Sequence, residues 1–233
     1  MNRTNRAADA APQELRISMD AKATVKVGPF SRGGSTRAEV KASDHDFAPE
    51  AMVTPVGIFM PGSDELFVYP ITSKVTSDCL VDRLVQWWET VCHRFAHITT
   101  LVINLDNGPE NHSRRTQFMQ RILEFVKTYQ LKVRLAYYPP YHSKYNPIER
   151  CWGILENHWN GTLLDSIDAV LKFATTMTWN GNHPIVELVT TTYQTGVKLS
   201  KEAMAKVEDQ IERLPGLAKW FVDIVPPSAT GDT

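Results

Sequence analysis

The 233-residue sequence is poor in cysteine, in long apolar runs and in net charge. Its three cysteines, Cys79, Cys92 and Cys151, include no CxxC pair. So odd and sparse a set excludes a disulfide scaffold and points to a reducing compartment. There is no stretch of about 18 apolar residues, which argues against a helical membrane span. The start, MNRTNRAADAAP, lacks the apolar centre of a secretory signal. These absences place the expected protein in the cytoplasm, with no membrane partner. The formal charge is -1, from 25 Lys+Arg against 26 Asp+Glu. Charge as a whole therefore announces no nucleic-acid partner, and any basic surface has to be local. No internal repeat is present.

What is there is enough for a packed core, with 42% hydrophobic and 22% charged residues. Residues 1–12 read as a disordered start and 226–233 as a loose tail. LRISMD (15–20) and ATVKVG (23–28) alternate apolar with polar residues, which predicts a hairpin with Asp20 near its turn. Residues 29–52 read as loop. VGIFM (56–60) and ELFVYP (65–70) flank Pro61-Gly62 and predict a second hairpin. Leu80, Leu84, Trp87 or Trp88, Val91 and Phe95 then follow helical spacing behind a Ser77 cap. TTLVINL (99–105) is a continuous apolar run, as in a strand buried on both faces. It stops at Asp106-Asn107-Gly108-Pro109.

A helix capped by Ser113 carries Phe118, Ile122, Phe125 and Val126, and LKVRLAYY (131–138) is a further strand. Asn146 is placed to cap a helix opened by Pro147, with Ile148, Trp152, Leu155 and Trp159 on one stripe. Helical character returns to about Met177, a mixed patch follows at 184–199, and a last helix runs from Ser200 through Leu214. Strand and helix alternate in the order of an α/β fold with a mixed sheet.

Three acids stand at element ends: Asp20, Asp106 and Glu149. Carboxylates so placed can converge at one edge of an α/β sheet. Clustered acids repel unless a cation neutralises them, and hard oxygen donors suit Mg2+ or Mn2+. Two such ions about 4 Å apart can align an attacking water and a leaving oxygen on a phosphodiester. Each acid has a plainer reading. Asp20 and Asp106 could be turn residues, and Asn146-x-x-Glu149 fits a capping box. Against the last stand Pro139, Pro140 and Pro147, which stiffen the approach to Glu149 more than a cap requires.

The run YYPPYHSKYNPIERCWGILE resembles the segment carrying the third acid in mariner-like and related bacterial insertion-sequence transposases. LVINLDNGPENHSRRTQF resembles the block with their second acid, and ISMDAKATVKVG the strand with the first. The family most similar is that of ISAzo-type transposases, and the resemblance runs from about residue 13 to 225. It implies a ribonuclease H-like mixed sheet flanked by helices over 13–165, then a mainly helical C-terminal extension over 166–225. It implies Asp20, Asp106 and Glu149 as a catalytic, metal-binding triad that cuts and joins DNA strands with Mg2+ or Mn2+, two ions in all. The partners implied are transposon ends and target DNA, at the bacterial nucleoid, with a homo-oligomer as the active form.

Two departures stand out. The second and third acids are 43 positions apart, a longer separation than is usual in mariner relatives. The helix-turn-helix region expected in front is missing before residue 13, so it is expected on another chain or lost by truncation. A remnant that folds without transposing and another ribonuclease H-like nuclease are the alternatives left open.

Basic residues cluster over 22–41, with Lys22, Lys26, Arg32, Arg37 and Lys41 against Glu39. Lys22, Lys26, Arg32 and Arg37 are candidate phosphate contacts. Arg114, Arg115 and Lys144 are further candidates, Lys144 lying beside Tyr141 and Tyr145, which could stack on bases. Asp44-His45-Asp46 reads as a solvated turn, and His142, Cys151 and His158 lack zinc spacing.

Overall fold

Helices and strands alternate along the chain as α1 (Asn2–Ala10), β1 (Glu14–Ala21), β2 (Val25–Val27), β3 (Ala51–Met60), β4 (Glu65–Ile71), α2 (Ser77–Val91), β5 (Thr100–Leu105), α3 (Thr116–Tyr129), β6 (Lys132–Tyr137), α4 (Ile148–Trp159), α5 (Ile167–Thr176), β7 (Ile185–Val186), α6 (Lys201–Glu208), β8 (Ile211–Arg213) and β9 (Phe221–Ile224). The computed structural model describes residues 1–30, 49–139 and 142–227. Two compact units share the chain. One holds Met1–Met19, Thr76–Asn146 and the residues from Gln194 onward; the other holds Asp20–Val75 and Pro147–Tyr193. Among the described residues no helix is long and apolar enough to cross a membrane.

In the first unit β1, β5 and β6 run parallel, with Leu15 paired to Leu101 and Leu101 to Val133. β5 is buried at all six positions, as its unbroken apolar sequence predicts for a strand with parallel neighbours. β9 adds antiparallel to the other edge of β6, and β8 antiparallel to β9, so the sheet is mixed. Helices α2 and α3 are laced by Arg121, which donates to Asp78 at 2.6 Å and to Asp82 at 2.7 Å.

Two expectations are corrected here. Residues 2–10 are helical rather than disordered. The reason lies in the sheet: Asn104, fully buried in β5, is a polar group that needs partners. Asn5 supplies one, its Oδ1 accepting from Asn104 Nδ2 at 3.0 Å, and Arg16 Nη1 donates to Asn104 Oδ1 at 3.2 Å. Arg16 in turn grips Asp9 through two hydrogen bonds. Ala8 packs on Val102 and Ala136.

The second correction concerns the end of the chain. The last helix stops at Glu208, and Ile211 belongs to β8. The C-terminal extension therefore contributes strands as well as helices. Arg213 fixes this turn by donating to Glu208 Oε1 at 2.6 Å and to the Ser113 carbonyl at 2.9 Å.

The second unit carries the predicted hairpin of β3 and β4, with Asp64 at φ 56° in its turn. The other hairpin is not formed as expected. β2 pairs with β3 rather than β1, Val25 opposite Val53, and Asp20 lies within β1 instead of in a turn. Residues 184–199 supply only β7, parallel to β4. Ile148, Trp152, Leu155 and Trp159 of α4 form one core with Val53, Phe59, Val68 and Met177. Gly57 of β3 makes that packing possible, since a β-carbon there would lie 2.5 Å from Trp152 Cη2 and 2.7 Å from Ile148 Cδ1.

Three cap assignments also shift. Thr76, not Ser77, caps α2, accepting from the Cys79 amide at 3.2 Å. α3 begins after Arg115 and has no side-chain cap, so Ser113 is not its cap. At α4 the cap position falls on Pro147, again with no side-chain hydrogen bond.

Candidate metal-binding carboxylates and basic surface

Asp106 follows β5 directly and is half-buried. Asn111 Nδ2 donates to its Oδ1 at 2.8 Å. The loop between them closes tightly at Gly108, whose missing β-carbon would lie 3.1 Å from both Asp106 Oδ2 and Asn111 Oδ1. Three further bonds pin this loop. The buried Tyr137 hydroxyl donates to the Asn111 carbonyl at 2.8 Å, and Arg213 holds the Ser113 carbonyl. Glu110 accepts from the Ser77 amide at 3.2 Å, where its charge also suits the start of α2. Asn111 itself is 6% exposed, and its Oδ1 is buried without a hydrogen-bond partner.

Asp20, the seventh residue of β1, is 6% exposed. Its Oδ2 accepts from Trp152 Nε1 at 2.9 Å. Trp152 follows Glu149 by three positions, a spacing that places both on one face of α4. Glu149 is the second residue of α4 and half-buried. Asn146, 1% exposed, accepts from Ser18 Oγ at 2.5 Å through the oxygen a cap would use. Its Nδ2 is buried with no partner. Asp20 and Glu149 thus lie in one unit and Asp106 in the other. Among the described residues no three His, Cys, Asp or Glu side chains form a ready-made metal cluster.

The basic candidates divide sharply. Lys22 is committed to an ion pair with Glu156 at 2.6 Å and lies 5.7 Å from the Trp159 ring centre. Arg115 is likewise committed, donating to Glu110 Oε2 and Ser77 Oγ. Lys26 is exposed and sits over the Phe30 ring. Lys144 is exposed over Tyr145, itself 57% exposed. Arg114 lines a cleft of about 250 Å³ with Asn107, His112, Ser113 and Lys219. Arg32, Arg37, Tyr141 and the Asp44-His45-Asp46 turn lie outside the described residues. Sequence reasoning missed Lys219, because it is a lone lysine in a turn far along the chain. It also took Trp152 and Tyr137 as simple core or strand residues, although Trp152 donates to Asp20 itself and Tyr137 to the loop after Asp106.

Two of the three cysteines are poor nucleophiles. Burial pushes the Cys79 thiol up to about 11 and the Cys151 thiol to about 12, so neither is a thiolate near neutrality. Burial, with the neighbouring Arg115 charge, holds His112 below its ordinary range. His158 Nε2 lies 2.9 Å from Thr176 Oγ1.

Two solved structures of Mos1 transposase share this fold. The paired-end complex with the left transposon end is 12% identical with a TM-score of 0.50, and the pre-cleavage transpososome 11% identical with a TM-score of 0.50. Each alignment covers 72% of this chain and 49% of the other, so the chain spans about half the length of those transposases. The HTLV-2 integrase catalytic core in complex with magnesium is 18% identical over 75% of this chain and 95% of that one, with a TM-score of 0.43. No curated protein matches in sequence. The model of the Rhodopirellula transposase DDE domain matches residues 1–226. By that match over nearly its whole length, the chain belongs to the transposase DDE-domain family.

Proposed function

We propose that this chain is the catalytic domain of a DNA transposase, cleaving and joining DNA strands with divalent metal. Asp20, Asp106 and Glu149 are its metal ligands. The observation that carries this reading is how the two aspartates are held. Each receives a neutral N–H donor, the Trp152 indole or the Asn111 amide. Such a donor fixes a carboxylate's direction without cancelling its charge, which is what a hard cation requires of its ligands. The donor set suits Mg2+ or Mn2+: three carboxylates with neither thiolate nor imidazole among them. The buried, unpartnered oxygen of Asn111 beside Asp106 adds to this electron-rich, oxygen-lined character.

Bound divalent ions, two in this reading, would supply Lewis-acid activation of water and stabilise the departing oxygen. The chain's own residues do the rest. Asn111 and the pinned 106–113 loop hold Asp106, Trp152 holds Asp20, and α4 presents Glu149 from its first turn. A water oxygen bonds to phosphorus at the element end, and the 3′ oxygen leaves with a proton. That 3′-hydroxyl then attacks a target phosphate and displaces another 3′ oxygen. Arg114, Lys219, Lys144 and Lys26 are the cations placed to track the DNA backbone. Because two ends must be joined to one target, the working form is a homo-oligomer. Its substrate places it at the nucleoid, in the cytoplasm.

The test is strand transfer of pre-cut element ends with Mg2+ or Mn2+. The parent should join them, and Asp106→Asn and Glu149→Gln should each lose the product by at least about 100-fold, as when a charge-stabilising group of about 3 kcal/mol is removed. Joining by either variant at the parental rate would remove that acid from the site. The half-length match to Mos1 favours one second reading, a domain that folds but transposes only with further protein. Activity that appears only when a DNA-binding region is added in trans would select it.

A further inference from the structure

We propose that Trp152 is a positioning residue, aiming the Asp20 carboxylate at its metal; this rests on the metal-ligand reading of Asp20 above. Asp20 is 6% exposed, and a buried carboxylate is costly unless its oxygens are hydrogen-bonded. The indole offers one N–H and no acceptor, so it can only donate. It binds Oδ2 at 2.9 Å and sets the plane of the carboxylate while leaving its charge intact. A lysine or arginine in that place would compete with a cation.

The indole cannot slide away from this task. Trp152 is 3% exposed, and its ring fills the space where a Gly57 β-carbon would stand, beside Ile148 Cδ1. Because α4 carries Glu149 one turn earlier, a single rigid helix presents one acid and aims another. The plainer alternative is that a buried indole simply takes any acceptor. Trp87 argues against it: fully buried, its Nε1 has no hydrogen-bond partner among the described residues. This fold accommodates an unpaired indole, so the Trp152 bond is not a condition of burial.

The test reads metal binding rather than turnover. Free Mn2+ is titrated by electron paramagnetic resonance into the parent, Trp152→Phe and Asp20→Asn, with melts in EDTA as the control for folding. Phenylalanine removes the N–H, and with it the outer indole carbons that lie against Gly57. Trp152→Phe should melt below the parent in EDTA, because it leaves a cavity beside Gly57, yet still unfold in one cooperative step; the folded variant should bind Mn2+ about 10- to 100-fold more weakly, the usual loss when a ligand's hydrogen-bond partner is removed. Parental Mn2+ affinity in Trp152→Phe, with binding lost in Asp20→Asn, would overturn the positioning role and leave the site standing. Parental affinity in Asp20→Asn would instead remove Asp20 from the site, and this proposal with it.

If Trp152→Phe fails to fold, the parent's six tryptophan indole N–H resonances provide a second measurement. One of them should shift on saturation with Mg2+ and should both move and cease to respond in Asp20→Asn. Six resonances indifferent to Asp20→Asn would overturn the proposal.

Discussion

Asn146 has one side-chain oxygen, and Ser18 occupies it. The capping pattern Asn146-x-x-Glu149 therefore lacks its cap half, and Pro147 at the cap position makes no side-chain bond. Glu149 still stands in the first turn, where a carboxylate gains about 0.3–1 kcal/mol from the helix dipole. Glu149→Gln and Glu149→Ala should accordingly both melt within about 1 kcal/mol of the parent in EDTA. A loss of about 3 kcal/mol in the alanine variant, beyond any dipole or cap effect, would mark Glu149 as a structural residue. The places of the three proposed acids were legible in part: Asp106 follows β5 and Glu149 opens α4, whereas Asp20 lies inside β1 and not in the expected turn. Their holders were not. Trp152 is 132 positions from Asp20, and Ser18 is 128 from Asn146. A local capping rule lost to a partner brought in from a distant strand.

Among the elements, β9 depends most on charge. Asp223 sits opposite Arg134 in the β6–β9 register and accepts from its Nε at 2.8 Å, with Lys132 also at 2.8 Å. Burial alone would raise this carboxyl; the hydrogen bonds from Arg134 and Lys132 outweigh it and hold the group below its ordinary 3.8. A lowered folded-state value stabilises the fold above 3.8, and the contribution fades as pH falls through that lowered value. Asp223→Asn should therefore lower the melting temperature at pH 7, and its deficit should shrink as the solution is acidified below 3.8. A deficit that stays constant into strong acid would mean that the pair contributes nothing through its charge. Elements with one long period, β5 and α4 above all, were legible in the sequence. FVDI was not, because four alternating residues after Pro215-Gly216 form a strand only when β6 offers an edge. The helical pattern at 200–214 was likewise cut short at Glu208, where Arg213 ties down the turn.

At the scale of the whole molecule, a net charge of -1 means that, on the proposed function, DNA affinity would rest on a few local cations. Binding by this chain should be weak, indifferent to sequence and steeply salt-dependent. Arg114→Ala with Lys219→Ala should flatten the slope of log affinity against log salt by about 2, roughly 1 for each phosphate no longer neutralised. Lys22→Ala should leave the slope unchanged, because Glu156 already neutralises that lysine. A fluorescence titration across salt concentrations separates the two, and a slope lowered by Lys22→Ala alone would reverse the assignment. The packing of Met1, Ala8, Val102, Ala136 and Phe221 in one small cluster has a consequence for how the protein is made. Met1 waits for Phe221, which is made much later. At about 5–20 residues per second, the chain between β6 and β9 takes on the order of ten seconds to synthesise. For that interval one edge of β6 stands without the neighbour that β9 supplies, open to mispairing with any other nascent strand, so the first unit closes only once β9 has been made.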